Sequence, residues 1–92
     1  CAISDTDSAG DLHDKLMDLG AVLVKETVQS IIDGKVNTIA QEEYINDIEL
    51  KKAPKIFKDD GLIDWNQEAR IIHNKIRGLS PYPAAWTRLR NM

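Results

Sequence analysis

Lys51, Lys52, Lys55 and Lys58 place four cations within eight residues, and such a cluster is suited to neutralising phosphates rather than to bond making. A lysine run also serves simply to solvate an exposed strap, so the run alone does not decide between an RNA contact and a solubilised segment. The residue types that usually make or break bonds are isolated. His13 and His73 are the only histidines, and neither has a second ligand at metal spacing or a nucleophile beside it. Asp14 follows His13, but successive side chains on a helix diverge, so that pair is expected to point apart. Cys1 is the single cysteine; it has no disulfide partner, and nothing points to an oxidising compartment, so a cytoplasmic origin is expected. The fingerprints GxSxG, P-loop and GxGxxG are all absent from the sequence. No metal site and no catalytic group is predicted in this chain.

Asp64 and Trp65 put an acid beside an aromatic, yet the expected roles are structural. Asp64, or Asn66, accepts hydrogen bonds from the N–H groups of the following turn and caps a helix. Trp65 packs beneath that helix, with Arg70 within reach for stacking. Arg77 is placed to bind phosphate or to satisfy backbone carbonyls and an acidic neighbour, and the structural role is the one expected. Pro81, Pro83 and Trp86 are likewise expected to be structural.

Charge divides the chain in two. Residues 1–50 carry 3 lysines against 11 acidic residues, and residues 51–92 carry 9 Lys and Arg against 4, so that −8 and +5 give the overall −3. Only the second half is a credible RNA surface, and without a basic recognition helix DNA is not an expected partner. No apolar run approaches the roughly 18 residues of a membrane span, so no membrane partner is expected.

The elements that must position these residues are mainly helical, with short extended segments. Cys1–Ser4 reads as the end of a strand, and Asp5, Thr6, Asp7 and Ser8 as a turn into a helix. Ala9, Leu12, Leu16, Leu19 and Leu23 form one apolar stripe, and Ala21, Val24, Val28, Ile31 and Ile32 a second, displaced by roughly 130°. With Gly20 at the change of phase, the pattern predicts two helices, 8–18 and 21–33, or one bent at Gly20, with Gly34 as terminator. Residues 35–41 read as extended and able to pair at a sheet edge, and residues 42–52 as a short helix or a strap. Lys58, Asp59, Asp60 and Gly61 form a turn between the apolar pairs Ile56-Phe57 and Leu62-Ile63. Ala69, Ile72, Ile76 and Leu79 predict a helix over 67–78 ended by a left-handed Gly78. Pro81 and Pro83 then predict an extended, stiff strap from Ser80 to Ala84. At 92 residues, 42% hydrophobic and 5% aromatic, a self-sufficient core is marginal, and the chain is expected to be a piece whose partner surface lies elsewhere.

In order and spacing, Ala53-Pro54-Lys55-Ile56, Ile63-Asp64-Trp65 and Arg77 followed by Pro81-Tyr82-Pro83 resemble the junction segment of the methionyl-tRNA formyltransferases. Asp5-Thr6-Asp7 with Gly10, Leu12, His13, Asp14, Lys15 and Leu16 resembles the last catalytic-domain helix of that family. The resemblance implies a fragment of an α/β formyltransferase. Residues 1–41 would end the Rossmann-like catalytic domain, 42–52 would be the linker, and 53–92 would begin the C-terminal domain. It also implies an intact enzyme that transfers a formyl group from 10-formyltetrahydrofolate to initiator methionyl-tRNA. The family's catalytic asparagine, histidine and aspartate have no counterpart here, so the isolated chain is expected to be inactive and to bind no folate. Its expected partners are the tRNA, through Lys55 above all with Lys58, Lys51 and Lys52, and the rest of its own polypeptide. A sister formyltransferase acting on an amino sugar nucleotide, a formyltetrahydrofolate hydrolase and a small helical interaction module are the alternatives.

Overall fold

A computed structural model of the chain describes residues 1–45 and 49–90. Their regular elements are α1 (Ala9–Ile32), a 3₁₀ turn Gln41–Tyr44, a second 3₁₀ turn Lys58–Gly61, and α2 (Ala69–Leu79). The described residues are thus helical and contain no strand. They fall into two compact bodies, one made of residues 1–18 with 56–92 and the other of 19–55.

In the first body, residues 1–4 are exposed and form no strand, which corrects the strand expected there. A strand exists only against a neighbour that satisfies its main chain, and no described segment supplies one. A turn follows, with the Asp7 N–H on the Ser4 carbonyl at 3.2 Å and the Ser4 N–H on the Asp7 carboxylate at 2.8 Å. Ser8 then opens α1 with a reciprocal cap. Its hydroxyl accepts from the Asp11 N–H at 3.1 Å, and the Asp11 carboxylate accepts from the Ser8 N–H at 2.8 Å.

The helix does not stop at Gly20: α1 is one continuous α-helix of 24 residues. A lone helical glycine costs only about 1 kcal/mol relative to alanine and removes no hydrogen bond, so good helix formers on both sides carry the helix through it. The change of stripe leaves apolar residues on several sides of α1, among them Leu16, Leu23, Val24 and Ile31, all about half exposed or more.

The part of α1 beyond residue 18 belongs to the second body. It ends as the sequence predicts, at Gly34 with φ of 67°. The Lys35 N–H meets the Ser30 carbonyl at 2.9 Å and the Gly34 N–H meets that of Ile31 at 3.2 Å, the paired bonds that close a helix over a left-handed residue. Residues 35–40 are irregular, and Gln41 already belongs to a 3₁₀ turn, so the edge strand expected over 35–41 is not formed. Of the helix or strap expected over 42–52, residues 42–44 complete that turn, residues 46–48 lie outside the described residues, and 49–52 have no regular structure.

Back in the first body, Lys58–Gly61 forms the turn expected of it, with the Phe57 N–H on the Asp60 carboxylate at 2.7 Å. α2 starts two residues later than predicted, because Asp64 caps the preceding turn instead. Its carboxylate accepts from the Asn66 N–H at 3.0 Å, while the helix N-cap is Glu68 with no side-chain bond. Nor does Gly78 end α2. It lies within the helix, which stops at Leu79 because Ser80, preceding Pro81, is held at φ −90°, ψ 140°.

Residues 80–83 then turn rather than run extended. Both the Ser80–Pro81 and Tyr82–Pro83 peptides are cis, Ala84 has φ of 72°, and its N–H returns to the Leu79 carbonyl at 2.8 Å. The segment comes back onto the 58–61 turn, where the Trp86 N–H bonds the Gly61 carbonyl and the Ile63 N–H bonds the Trp86 carbonyl, both at 2.9 Å. Gly61, the one buried residue among those described, permits this approach: a Cβ there would lie 2.9 Å from the Ala84 carbonyl oxygen and 3.1 Å from the Trp86 ring.

The two glycines make opposite predictions. Gly61→Ala is expected to lower stability by about 1–3 kcal/mol through overpacking against main chain. Gly78→Ala, in a helix with open space around the new methyl, is expected to raise it by up to about 1 kcal/mol. Denaturant midpoints of the two variants, moving in opposite directions from wild type, are the check.

Candidate nucleic-acid interface

The lysines of the sequence cluster are all exposed but belong to different bodies. Lys51, Lys52 and Lys55 lie in the second body, in irregular chain, and Lys58 lies in the first. Lys58 is the best positioned of the four, because the 3₁₀ turn that it opens is fixed from two sides. The Trp86 indole N–H donates to the Lys58 carbonyl at 2.8 Å, and the Lys58 ammonium stands 5.8 Å from the centre of the Trp86 ring. Arg88, with its guanidinium carbon 5.6 Å from the same ring, adds a second cation to this surface. Beside them is a cleft of about 450 Å³ walled by Phe57, Tyr82, Pro83 and Trp86. Together they form an exposed cationic and aromatic surface, the chemistry that receives a nucleic-acid backbone and its bases.

Trp65 does not pack beneath α2. The residue is 62% exposed, and its indole N–H donates to the Thr87 hydroxyl at 2.8 Å. The cause is the late start of α2, which leaves Trp65 in the turn before the helix. Arg70 approaches the Asp5 carboxylate at 3.7 Å. Arg77 spans a long sequence distance, its Nη1 donating to the carbonyls of Ser4 at 2.8 Å and Asp7 at 2.9 Å, and its Nε to the Asn74 side chain at 3.0 Å. Pro81 packs on Gly10, whose N–H bonds the Ser80 carbonyl at 3.0 Å.

His13 and Asp14 do meet, at 3.2 Å, against the expectation that they diverge. Both side chains are free at the surface to rotate toward each other, and at 74% exposure the pair is solvated. His73 donates to the Asp5 carbonyl at 3.3 Å. Among the described residues no three His, Cys, Asp or Glu side chains are grouped to hold a metal, and no helix is long and apolar enough to cross a membrane.

Sequence reasoning assigned no contact to Lys75, Thr87 or Arg88, and to Gly61 only a place in a turn. Lys75 donates to the Leu62 carbonyl at 2.7 Å. Only Gly61 carried a signal, and that signal was of a turn rather than of a close approach.

Three carboxyls are held below the usual carboxylate range by the bonds they accept. For Asp7 the Lys15 ammonium comes first, then the Ser4 N–H; for Asp11 the Ser8 N–H, then its hydroxyl; for Asp64 the Asn66 N–H, then the Gln67 amide. Because each pKa is lowered on folding, the stabilisation is present above the unfolded value and is lost as pH falls through the folded one. The window therefore lies below about pH 4. Asp7→Asn is expected to flatten the loss of stability in that window without changing its slope between pH 6 and 8, as read from denaturant midpoints across a pH series.

With this geometry in place, comparison with known proteins is direct. Residues 55–92 match the formyl transferase C-terminal domain family. The chain is 57% identical over 88 residues to the methionyl-tRNA formyltransferase of Parabacteroides distasonis, covering 95% of this chain and 27% of that protein. It is 56% identical over 89 residues to that of Bacteroides fragilis, covering 97% and 28%, and 44% identical over 85 residues to that of Bacillus licheniformis, covering 92% and 26%. The chain thus spans about a quarter of the length of these relatives. No solved structure matches it. Along nearly its whole length this chain is similar to these methionyl-tRNA formyltransferases.

Proposed function

Proceeding from that relationship, we propose that these residues are the interdomain part of an enzyme that formylates initiator methionyl-tRNA with 10-formyltetrahydrofolate in the cytoplasm. Identity of 57% across 95% of the chain carries the reading, and the activity of the relatives favours tRNA over the substrates of the sister enzymes. Residues 1–41 end the α/β catalytic domain, 42–52 link, and 53–92 begin the C-terminal domain. The bare apolar sides of α1, with Leu19, Leu23 and Val28 all 48–59% exposed, pack against the remainder of the polypeptide. That burial would add roughly 25 cal/mol for each Å² of apolar surface covered.

The remainder also supplies the groups that polarise the formyl carbon and accept a proton from the attacking amine. The residues described above do set one hydroxyl on a carboxylate, Ser8 on Asp11 at 2.9 Å, but as the cap that opens α1. Their part is to hold the substrate. Lys58 and Lys55, with Lys51 and Lys52, contact tRNA phosphates, while Asp64, Asn66, Trp65, Arg77, Pro81, Pro83 and Trp86 shape the segment that carries them.

In the intact protein, replacing Lys55 and Lys58 with alanine is expected to weaken tRNA binding and to flatten its salt dependence, by about 0.7–0.9 in log–log slope for each phosphate no longer neutralised. The rate at saturating tRNA and the binding of the folate donor should stay at wild type, since binding common to ground and transition states is what is removed. Salt plots of equal height and slope for variant and wild type would remove the phosphate contacts. Absence of formylation by the intact wild-type protein would remove the enzyme reading itself.

A further inference from the structure

We propose that Arg77 is a positioning residue for RNA binding, a latch that fixes Lys58 relative to the turn at residues 4–7. The proposal rests on the reading of Lys58 as a phosphate contact and of residues 1–18 as part of the catalytic domain. The latch has two ends. At one, the Arg77 Nη1 donates to the carbonyls of both Ser4 and Asp7, at 2.8 and 2.9 Å, and closes the turn over itself. The guanidinium plane is set by its Nε–H on the Asn74 side chain at 3.0 Å, so the fork that reaches the turn is aimed before it arrives. The turn is also held from α1, by Lys15 on the Asp7 carboxylate and on the Ala2 carbonyl.

At the other end, α2 is tied to Lys58. One turn's length before the end of the helix, Lys75 donates to the Leu62 carbonyl at 2.7 Å. Leu62 pairs with Trp86, and the Trp86 indole N–H reaches the Lys58 carbonyl at 2.8 Å. Every link from residues 4 and 7 to residue 58 is therefore a hydrogen bond or the α2 main chain. The described residues hold no apolar core that would maintain this geometry without those bonds. An arginine suits the latch better than a lysine, because its planar group serves two carbonyls and a third acceptor in one fixed orientation.

A chain of contacts does not by itself demonstrate coupling, and a double-mutant cycle does. The cycle is made in the full-length protein and read as the Kd for initiator methionyl-tRNA over a salt series. Arg77→Ala is expected to weaken binding by about 10-fold, within the range for groups sharing one network, and to reduce the salt slope as Lys58→Ala does. In a Lys58→Ala background, Arg77→Ala should have little further effect. Arg77→Lys should fall between, and Asn74→Ala, which frees the guanidinium without deleting it and spares the fold, should repeat the pattern at smaller size.

Effects of Arg77 and Lys58 that multiply independently, or an Arg77→Ala protein with wild-type affinity, would overturn the latch while leaving the phosphate contact standing. If Lys58→Ala alone leaves binding unchanged while the protein still formylates tRNA, the contact fails and the latch falls with it. Absence of formylation by wild type would instead strike the enzyme reading.

Discussion

Loop carbonyls that neither helix nor sheet satisfies are the constraint around which the first body is arranged. A hydrogen bond to such an acceptor contributes a net of about 0.5–1.5 kcal/mol, and here the acceptors of residues 2, 4, 5, 7, 58 and 62 each receive a side-chain donor from a distant part of the chain. Lys15, His73, Lys75, Arg77 and Trp86 are those donors. A body with a single buried residue among those described does not draw its geometry from apolar packing alone. It is specified by direction and distance, as hydrogen bonds are, and so has a definite arrangement despite a thin interior.

This arrangement ties two distant parts of the first body together through two residues in the C-terminal half of one short helix, α2. α2 carries Arg77 toward the first residues of the chain and Lys75 toward the 58–62 turn, so the turn bearing Lys58 and Trp86 is referenced to the start of α1. The cations bracketing Trp86 then sit on a fixed support rather than on a tether. For the proposed phosphate contacts the difference matters, because less conformational freedom would remain to be lost on engaging an RNA backbone.

What could be read from sequence was local chemistry. Gly34 was legible because a terminator acts on the helix immediately before it, and the Lys58–Gly61 turn because Asp60 and Gly61 act within four residues. The family motifs were legible because they are short and ordered. Gly20 and Gly78 misled because a glycine permits an end without imposing one, while Pro81 imposes it. The single helix of 24 residues followed from its continuous hydrogen bonding, which outweighs a shift of apolar phase when no packed surface is present to enforce two directions. The partners of Arg77, 70 and 73 residues away, and the close approach of Gly61 to Ala84 and Trp86 lie beyond any local pattern. For Trp65, a two-residue difference in where α2 begins separated burial under a helix from exposure in a turn.

Both tryptophans, Trp65 and Trp86, reside in the first body, and that distribution governs what each spectroscopic probe can see. Indole emission from this segment reports one body and is silent about residues 19–55. Far-ultraviolet circular dichroism, by contrast, is weighted toward the 24 residues of α1 over the 11 of α2, and most of α1 lies in the other body. Agreement between the two signals through a denaturation would thus measure whether the bodies melt as one cooperative unit, a question that neither signal answers on its own.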